Sequence, residues 1–169
     1  TERIIKFSNA AVGFLPGGLA QVNVVSSMFF GGISGSATAD TASIGSIMIP
    51  AMKKEGFDAD FSVAITATSA TCGPIIPPSI TLILYVIIAQ VSITDLFLGG
   101  YVPGIMLGIG LAIVTHIVSV RRGYPVHGRP SSQGLSEGFL PAVGALILPV
   151  RITGGLLCGL ANVPDAGDG

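Results

Sequence analysis

Small polar residues and prolines are grouped in two short segments of a chain that is otherwise rich in apolar runs. The first segment, 34–40, reads Ser-Gly-Ser-Ala-Thr-Ala-Asp, and the second, 73–79, reads Gly-Pro-Ile-Ile-Pro-Pro-Ser. The three prolines of the second segment remove three amide donors and cannot continue a regular helix. We predict that both segments interrupt helices and leave backbone groups free to bind a ligand.

The chemistry of such interruptions follows from the polarity of helix ends. A helix that ends near Ile33 or Cys72 offers carbonyl oxygens to a small cation such as Na⁺. A helix that starts near Asp40 or Ser79 offers amides to a carboxylate. Hydroxyl oxygens accompany both segments, from Ser34, Ser36, Thr38, Ser69, Thr71 and Ser79. This combination fits a small anion carried together with Na⁺.

Asp40, the last residue of the first segment, has two compatible interpretations. An acidic residue inside a membrane is costly and marks a functional site by default, as a ligand for an ion or a substrate. Alternatively, Asp40 caps a helix that begins at Thr41, because Asp is a preferred N-cap residue.

The composition indicates a membrane protein. Of the 169 residues, 50% are hydrophobic and only 10% are charged, whereas soluble domains carry about 25% charged residues. The net charge of −1 argues against a nucleic-acid-binding protein, which would carry a basic patch. Cys72 and Cys158 lie far apart without CxxC spacing, so we interpret both as buried apolar residues.

Uncharged runs and basic clusters predict the topology. The runs 61–94 and 96–120 each exceed the roughly 20 residues that cross a bilayer as a helix. Basic residues cluster before and after these runs, at Lys53–Lys54 and at Arg121, Arg122 and Arg129. Placing both clusters in the cytoplasm requires two crossings between them, joined by a turn at Val91–Asp95. Leu19–Met52 must then enter and leave by one face, as a re-entrant hairpin.

We therefore predict an all-α integral membrane protein with six segments. They are a cytoplasmic-side connecting segment (1–18), a re-entrant helical hairpin (19–52), a discontinuous transmembrane helix (61–90), a transmembrane helix (96–120), a cytoplasmic linker (121–137) and the truncated start of a second repeat (138–169). Gly154-Gly155 and the small residues up to Asp165 echo Gly31-Gly32 through Asp40, and internal repeats are typical of transporters. We expect the chain to be a fragment.

Five motifs in order resemble a known transporter family. They are the runs 15–20, 30–40, 49–52, 73–79 and 96–104, and the likeness is nearly continuous from about Phe14 to Val120. In residues and spacing they resemble the large membrane subunit of TRAP transporters, the tripartite ATP-independent periplasmic systems of bacteria and archaea. The run 159–166 and Arg151 depart from the family pattern.

The resemblance implies a Na⁺-coupled importer of small organic acids, such as C4-dicarboxylates or sialic-acid-like carboxylates, and not an enzyme. It implies inverted repeats that form an elevator-type transport domain, in a multi-pass protein of the cytoplasmic (inner) membrane. No cofactor is implied beyond Na⁺ as the coupling ion. The implied partners are a small membrane subunit, a periplasmic substrate-binding protein and the lipid bilayer.

The resemblance also implies where ligands bind. In this family the first hairpin tip and the first broken helix contribute to the ion and substrate region, which here means Gly32–Asp40 and Ser69–Ser79. The expected substrate contacts are Ser34, Gly35, Ser36, Thr38, Asp40, Pro77 and Ser79. The expected Na⁺ ligands are Gly32, Ser36, Ser69, Thr71 and Gly73.

Two other functions stay open from the sequence. Gly32-Ile33-Ser34-Gly35 matches the short Gly-x-Ser-Gly pattern of rhomboid intramembrane serine proteases, with His116 as the base that activates Ser34. A passive channel can also be lined by re-entrant segments.

Overall fold

Six helices form the part of the chain that the structure describes. The structure is a computed structural model, and it describes residues 2–125 and residue 154. In chain order the helices are α1 (Glu2–Val12), α2 (Gly18–Ser34), α3 (Ala37–Lys54), α4 (Ala59–Ala70), α5 (Ile80–Ala89) and α6 (Ile93–Arg122). The all-α prediction is confirmed for these residues. Apart from Gly154, the predicted second repeat lies outside them, as do Arg129, Arg151 and Cys158.

Helices α2 and α3 form a hairpin with a very short connection, Gly35 and Ser36. Gly35 ends α2 in the left-handed region, with φ 60°, and its amide donates to the Gly31 carbonyl at 2.8 Å. Glycine suits this position because it has no Cβ to clash in that conformation. The turn is shorter than the predicted reversal over 34–40. The helices, with 17 and 18 residues, are therefore longer than expected, at about 25 and 27 Å.

The N-cap of α3 is Ser36, and the prediction that Asp40 caps this helix is wrong. The Ser36 hydroxyl accepts a hydrogen bond from the Ala39 amide at 3.4 Å. Asp40 lies inside the first turn of α3, and its own amide donates to the Ser36 carbonyl at 3.1 Å. Serine and aspartate are comparable N-cap residues, so the tightness of the turn at Gly35 decides which of them starts the helix.

A non-helical segment separates α4 from α5. It covers residues 71–79, where the prolines predict an interruption. Its last residue, Ser79, caps α5 by accepting from the Leu82 amide at 3.4 Å, and donates to the Pro74 carbonyl at 2.7 Å. The Ser79 hydroxyl therefore caps α5 and also links the last residue of the segment to Pro74 within it. We call residues 71–79 the interruption from here on.

Two elements differ from the sequence prediction in extent. Residues 1–18 were expected only to connect, yet α1 occupies Glu2–Val12. Helix α6 begins at Ile93, capped by Ser92, so the connection after α5 is shorter than the predicted turn. Among the described residues, α6 is the one helix long and apolar enough to cross a membrane, and α5 is a shorter apolar helix.

Helix α2 lies at the centre of the packing. It runs parallel to α4, as shown by hydrogen bonds from Asn23 Nδ2 to Thr66 Oγ1 (2.6 Å) and from Ser69 Oγ to Ser27 Oγ (3.1 Å). It runs antiparallel to α6, whose Ala112 carbonyl accepts from Gln21 Nε2 at 2.9 Å. Because α2 and α4 are parallel, their carboxyl ends lie at the same end of the bundle.

Helices α5 and α6 expose a broad apolar surface. Ile88 is 82% exposed, and Val102 and Met106 are exposed by 64% and 68%. Helix α6 turns only a narrow stripe inward, which consists of Phe97, Gly104, Gly108, Thr115 and Ser119. Apolar patches of this extent mark contact with membrane or protein, and small residues at a helix interface are typical of membrane proteins.

The end of the bundle opposite the hairpin turn is basic, and contacts around Asp58 hold its helices together. The Arg122 guanidinium and the Tyr124 hydroxyl donate to Asp58 Oδ2 at 2.6 and 2.7 Å. The Tyr124 ring lies 4.4 Å from that of Phe57, centroid to centroid. These contacts bring the ends of α3 and α6 together. Lys53–Lys54 therefore lies at the same end as Arg122, the arrangement that a shared cytoplasmic side requires.

The hydrogen bond from Tyr124 and the one from Arg122 lower the pKa of the Asp58 carboxyl. Because this pKa is lower in the folded than in the unfolded state, the ionised carboxylate stabilises the fold at neutral pH. The stabilisation is lost as the pH falls through the lowered folded-state pKa.

We predict that Tyr124 stabilises this end through its ring more than through its hydroxyl. Tyr124→Ala removes a ring that is only 8% exposed and should lower the free energy of unfolding by about 3 kcal/mol. Tyr124→Phe keeps the ring and loses only hydrogen bonds at an exposed carboxylate, so its effect should be small. Thermal unfolding of the purified full-length protein in detergent measures both, and equal losses would contradict the prediction.

Candidate functional site

The hairpin turn packs directly against the interruption, backbone to backbone. A Cβ atom placed on Gly31 would lie 2.7 Å from Cα of Gly73. One placed on Gly35 would lie 2.9 Å from the Pro78 carbonyl oxygen. Real Cβ atoms essentially never approach other atoms so closely, so glycine is needed on the hairpin side of this contact. The two polar segments found in the sequence therefore form one site.

Four helix ends meet at this contact. The carboxyl ends of α2 and α4 arrive together because the two helices are parallel. A Cβ on Gly73 would lie 3.5 Å from the Ala37 amide nitrogen at the start of α3, and one on Gly35 would lie 2.9 Å from the Ile80 amide nitrogen at the start of α5. Helix carboxyl ends are partly negative and amino ends partly positive. Two partly negative and two partly positive helix ends therefore lie close together at this contact.

The hydroxyls of the hairpin turn lie at the edge of the site and bond to one another. The Ser34 hydroxyl accepts from the Ser36 amide at 3.3 Å, and the Ser36 and Thr38 hydroxyls lie 2.9 Å apart. Ser34 and Ser36 are half-buried and Thr38 is exposed. Their oxygens are held in place by local bonds while remaining accessible to a ligand.

The predicted ligand-binding residues of the interruption differ in exposure from the hydroxyls of the hairpin turn. Ser79 and Pro77 are buried, and both hydrogen bonds of the Ser79 hydroxyl serve the local structure. Gly32 faces the interruption, since a Cβ there would lie 3.7 Å from the Pro77 carbonyl oxygen. Thr71 is exposed, and its hydroxyl donates to the Thr68 carbonyl at 2.7 Å. The structure therefore brings Gly32 and Pro77 together and leaves Thr71 at the margin.

A buried polar cluster lies behind the site, between α2, α3 and α4. Asp40, Ser27 and Ser69 are each 0% exposed. Among the described residues, neither carboxylate oxygen of Asp40 has a hydrogen-bond partner; the Ser27 hydroxyl is a polar neighbour whose geometry falls short of a hydrogen bond. A buried carboxylate is strongly unfavourable unless a positive charge or a proton compensates it.

The α2 side of this cluster was not predicted from the sequence. Asn23 and Ser27 lie four residues apart in an apolar helix, and Thr66 and Ser69 lie three apart in α4. Polar residues at these spacings share one helix face, so the pattern was available as a signal. The spacing does not show which helix each polar face packs against. Only the structure shows that the polar faces of α2 and α4 pack against each other.

The proposed protease pair is not assembled. Ser34 is at the carboxyl end of α2 and His116 is in α6, between Ala112, which binds Gln21, and Ser119, which contacts Gly17. His116 therefore lies level with the start of α2. Thirteen residues of α2 beyond Gln21 place Ser34 about 20 Å further along the axis. A base must lie within hydrogen-bond reach of its nucleophile, so the structure contradicts this alternative.

We predict that Gly31→Ala separates the hairpin from the interruption and destabilises the protein. The added methyl group would meet the backbone of Gly73, which cannot move as a flexible side chain can. Gly110→Ala is the matched control, because a Cβ at Gly110 in α6 would have no neighbour within 4 Å in the part of the chain that the structure describes. Both changes improve helix propensity, so a lower melting temperature for Gly31→Ala alone is the expected result. Equal melting temperatures for the two variants would contradict the close contact.

Comparison with known proteins shows to which family the chain is related. The model of the family described as "Tripartite ATP-independent periplasmic transporter, DctM component" matches residues 1–167. A sialic acid TRAP transporter permease protein of Haemophilus influenzae is 38% identical over 166 residues, which are 98% of this chain and 27% of that protein.

Two further relatives are large permease proteins. The sialic acid TRAP transporter large permease protein of Vibrio cholerae is 36% identical over 166 residues, 98% of this chain and 39% of that protein. The C4-dicarboxylate TRAP transporter large permease protein of Pseudomonas aeruginosa is 38% identical over 165 residues, again 98% of this chain and 39% of that protein. The chain thus spans between 27% and 39% of the length of these relatives.

These relatives are named as components of transporters and not as enzymes. The match covers almost the whole chain, including the hairpin, the interruption and α6. The resemblance seen in the sequence motifs is confirmed, and the chain belongs to the DctM component family of the tripartite ATP-independent periplasmic transporters.

Proposed function

We propose that this chain is part of the large permease subunit of a Na⁺-coupled secondary transporter that imports small organic acids. The observation that carries the proposal is the meeting of four helix ends at the contact of Gly31 and Gly35 with the interruption. In membrane transporters, broken helices at such a point bind anionic substrates with their amino ends and cations with their carboxyl ends. Membership in the DctM family supports the same function.

Na⁺ is the coupling ion in this proposal. Hard oxygen ligands suit a small hard cation, and the carboxyl ends of α2 and α4 supply them together with Ser36 and Ser69. The buried Asp40 carboxylate gives the region a negative charge, which a nearby cation would stabilise. The candidate ligands remain Gly32, Ser36, Ser69, Thr71 and Gly73, of which Thr71 fits least because its side chain is exposed at the margin.

The substrate is a small carboxylate. The amino ends of α3 and α5 face the same contact and supply amides for an anion, and the accessible hydroxyls of Ser34, Ser36 and Thr38 add hydrogen bonds. The remaining candidates are Gly35, Asp40, Pro77 and Ser79, all of which are buried. Relatives are named for sialic acid and for C4-dicarboxylates, which are carboxylates of different size.

The complete protein works, in this proposal, as a multi-pass protein of the cytoplasmic membrane. A second repeat of inverted topology completes the binding region, and the transport domain moves as an elevator. A small membrane subunit accompanies it, and a periplasmic binding protein delivers the substrate. The apolar surface of α5 and α6 supports the membrane location, since it is too extensive for contact with water.

We predict that substrate uptake requires a Na⁺ gradient. The full-length protein, reconstituted in liposomes with its small subunit and binding protein, should accumulate the acid when Na⁺ is outside. Accumulation should stop when K⁺ replaces Na⁺ or when the binding protein is omitted. Uptake that runs equally without Na⁺ would contradict the symport mechanism, and equilibration without accumulation would indicate a passive channel.

We predict that Gly73→Leu or Ser36→Leu abolishes uptake and leaves membrane insertion intact. Either side chain would enter the contact where the four helix ends meet. Gly110→Leu is the control, because it adds the same side chain to α6 at a position where a Cβ has no neighbour within 4 Å among the described residues. The measurements are uptake in liposomes and the amount of protein in the membrane fraction. Normal uptake by both site variants would show that the binding region lies elsewhere.

A further inference from the structure

Helix α6 contacts the interruption with one narrow face near its amino end. This face consists of Gly100, Tyr101 and Gly104, and the packing there is close. A Cβ on Gly104 would lie 2.6 Å from Cγ1 of Ile76.

Gly100 packs against the backbone of the interruption. A Cβ there would lie 2.9 Å from the carbonyl oxygen of Ile75, and 3.3 Å from side-chain atoms of Pro77 and Leu82. The nearest atom therefore belongs to the backbone of the interruption, and it is a carbonyl oxygen of the kind that coordinates cations. A side chain at position 100 therefore requires either this oxygen or α6 to shift.

The next residue of α6 holds a second carbonyl. The Tyr101 hydroxyl donates to the Pro77 carbonyl oxygen at 3.4 Å. This oxygen also faces Gly32 of the hairpin. Two neighbouring residues of α6 thus limit the positions of two carbonyl oxygens in the interruption, one by close packing and one by a hydrogen bond.

The interruption needs such external support at these two carbonyls, because among the described residues no backbone amide of the segment donates to the oxygen of Ile75 or Pro77. Its internal hydrogen bonds lie elsewhere: the Ile75 and Ile76 amides donate to the Cys72 carbonyl at 3.1 and 2.8 Å, and the Ser79 hydroxyl donates to the Pro74 carbonyl at 2.7 Å. Backbone oxygens must nevertheless be held within about 0.5 Å for a site to bind tightly and selectively. The support must therefore come from neighbouring elements, and α6 is placed to provide it.

We propose that Gly100 and Tyr101 are positioning residues, which hold the Ile75 and Pro77 carbonyls of the interruption in the geometry that the transported ion and its substrate require. The proposal rests on the function proposed above and assigns to α6 a part in it. The two residues act through the backbone that they fix, and neither is proposed as a ligand.

Adjacent glycines of α6 provide a matched test. Among residues 2–125, a Cβ on Gly99 has no neighbour within 4 Å, so Gly99→Ala and Gly100→Ala make the same chemical change one residue apart. Both are made in the full-length protein, and uptake in liposomes is measured against the Na⁺ concentration. We expect Gly99→Ala to match the unmodified protein. Gly100→Ala should raise the half-saturating Na⁺ concentration about tenfold, the change produced by roughly 1.4 kcal/mol of lost binding.

Tyr101→Phe provides a second variant that does not depend on tolerance of a larger side chain. It removes only the hydroxyl, so the half-saturating Na⁺ concentration should rise about fivefold, equivalent to one hydrogen bond of roughly 1 kcal/mol. The maximal uptake rate per folded protein should change much less in both variants. A purely structural role would lower the amount of folded protein and leave the half-saturating concentration unchanged.

The outcomes separate this inference from the proposed function. If unmodified uptake depends on Na⁺ but Gly100→Ala and Tyr101→Phe keep the half-saturating concentration of Gly99→Ala, the positioning role is refuted and the proposed function stands. If unmodified uptake ignores Na⁺, the proposed coupling is refuted. The same variants are then compared by the half-saturating substrate concentration, where equal values would overturn the positioning role as well.

Discussion

The contact between the hairpin turn and the interruption governs the arrangement of the other elements. It depends on backbone meeting backbone at Gly31 and Gly73, and at Gly35 and Pro78. For this contact to form, α2 and α4 must run parallel and end at the same level. Helices α3 and α5 must then start from that level. This steric requirement thus brings together the carboxyl ends of two helices and the amino ends of two others. A single helix could not present both kinds of end at one place.

The buried polar cluster fits this arrangement. In a membrane the helices gain little from apolar burial against one another, so packing and hydrogen bonds must hold them together. The bonds of Asn23 to Thr66 and of Ser69 to Ser27 join α2 to α4 in the register that the glycine contact requires. Asp40 lies beside this bonded face without a hydrogen bond of its own. The same face therefore aligns the helices and places a buried carboxyl group behind the site.

Helix α6 has two faces with different physical roles. Its outer face is apolar and broad, and its inner face is a stripe of small residues that admits the interruption and α2 to close range. At the other end Arg122 and Tyr124 bind Asp58, which fixes α6 to the start of α4. Helix α6 is thus held at both ends against the unit that carries the site.

Local chemistry in the sequence determined the interruption, the hairpin turn and the class of protein. Three closely spaced prolines interrupt a regular helix because they lack amide donors. A chain with so few charged residues cannot cover its surface with groups that favour contact with water. The tertiary structure alone decided that Ser36 rather than Asp40 caps α3, because both residues are suitable and the turn at Gly35 selects one. It also decided which glycines pack against the interruption. Gly99 and Gly100 are indistinguishable in sequence, yet within the described part of the chain a Cβ on Gly99 has no neighbour within 4 Å and one on Gly100 meets a carbonyl oxygen. That difference depends on how α6 is rotated against a segment more than twenty residues away.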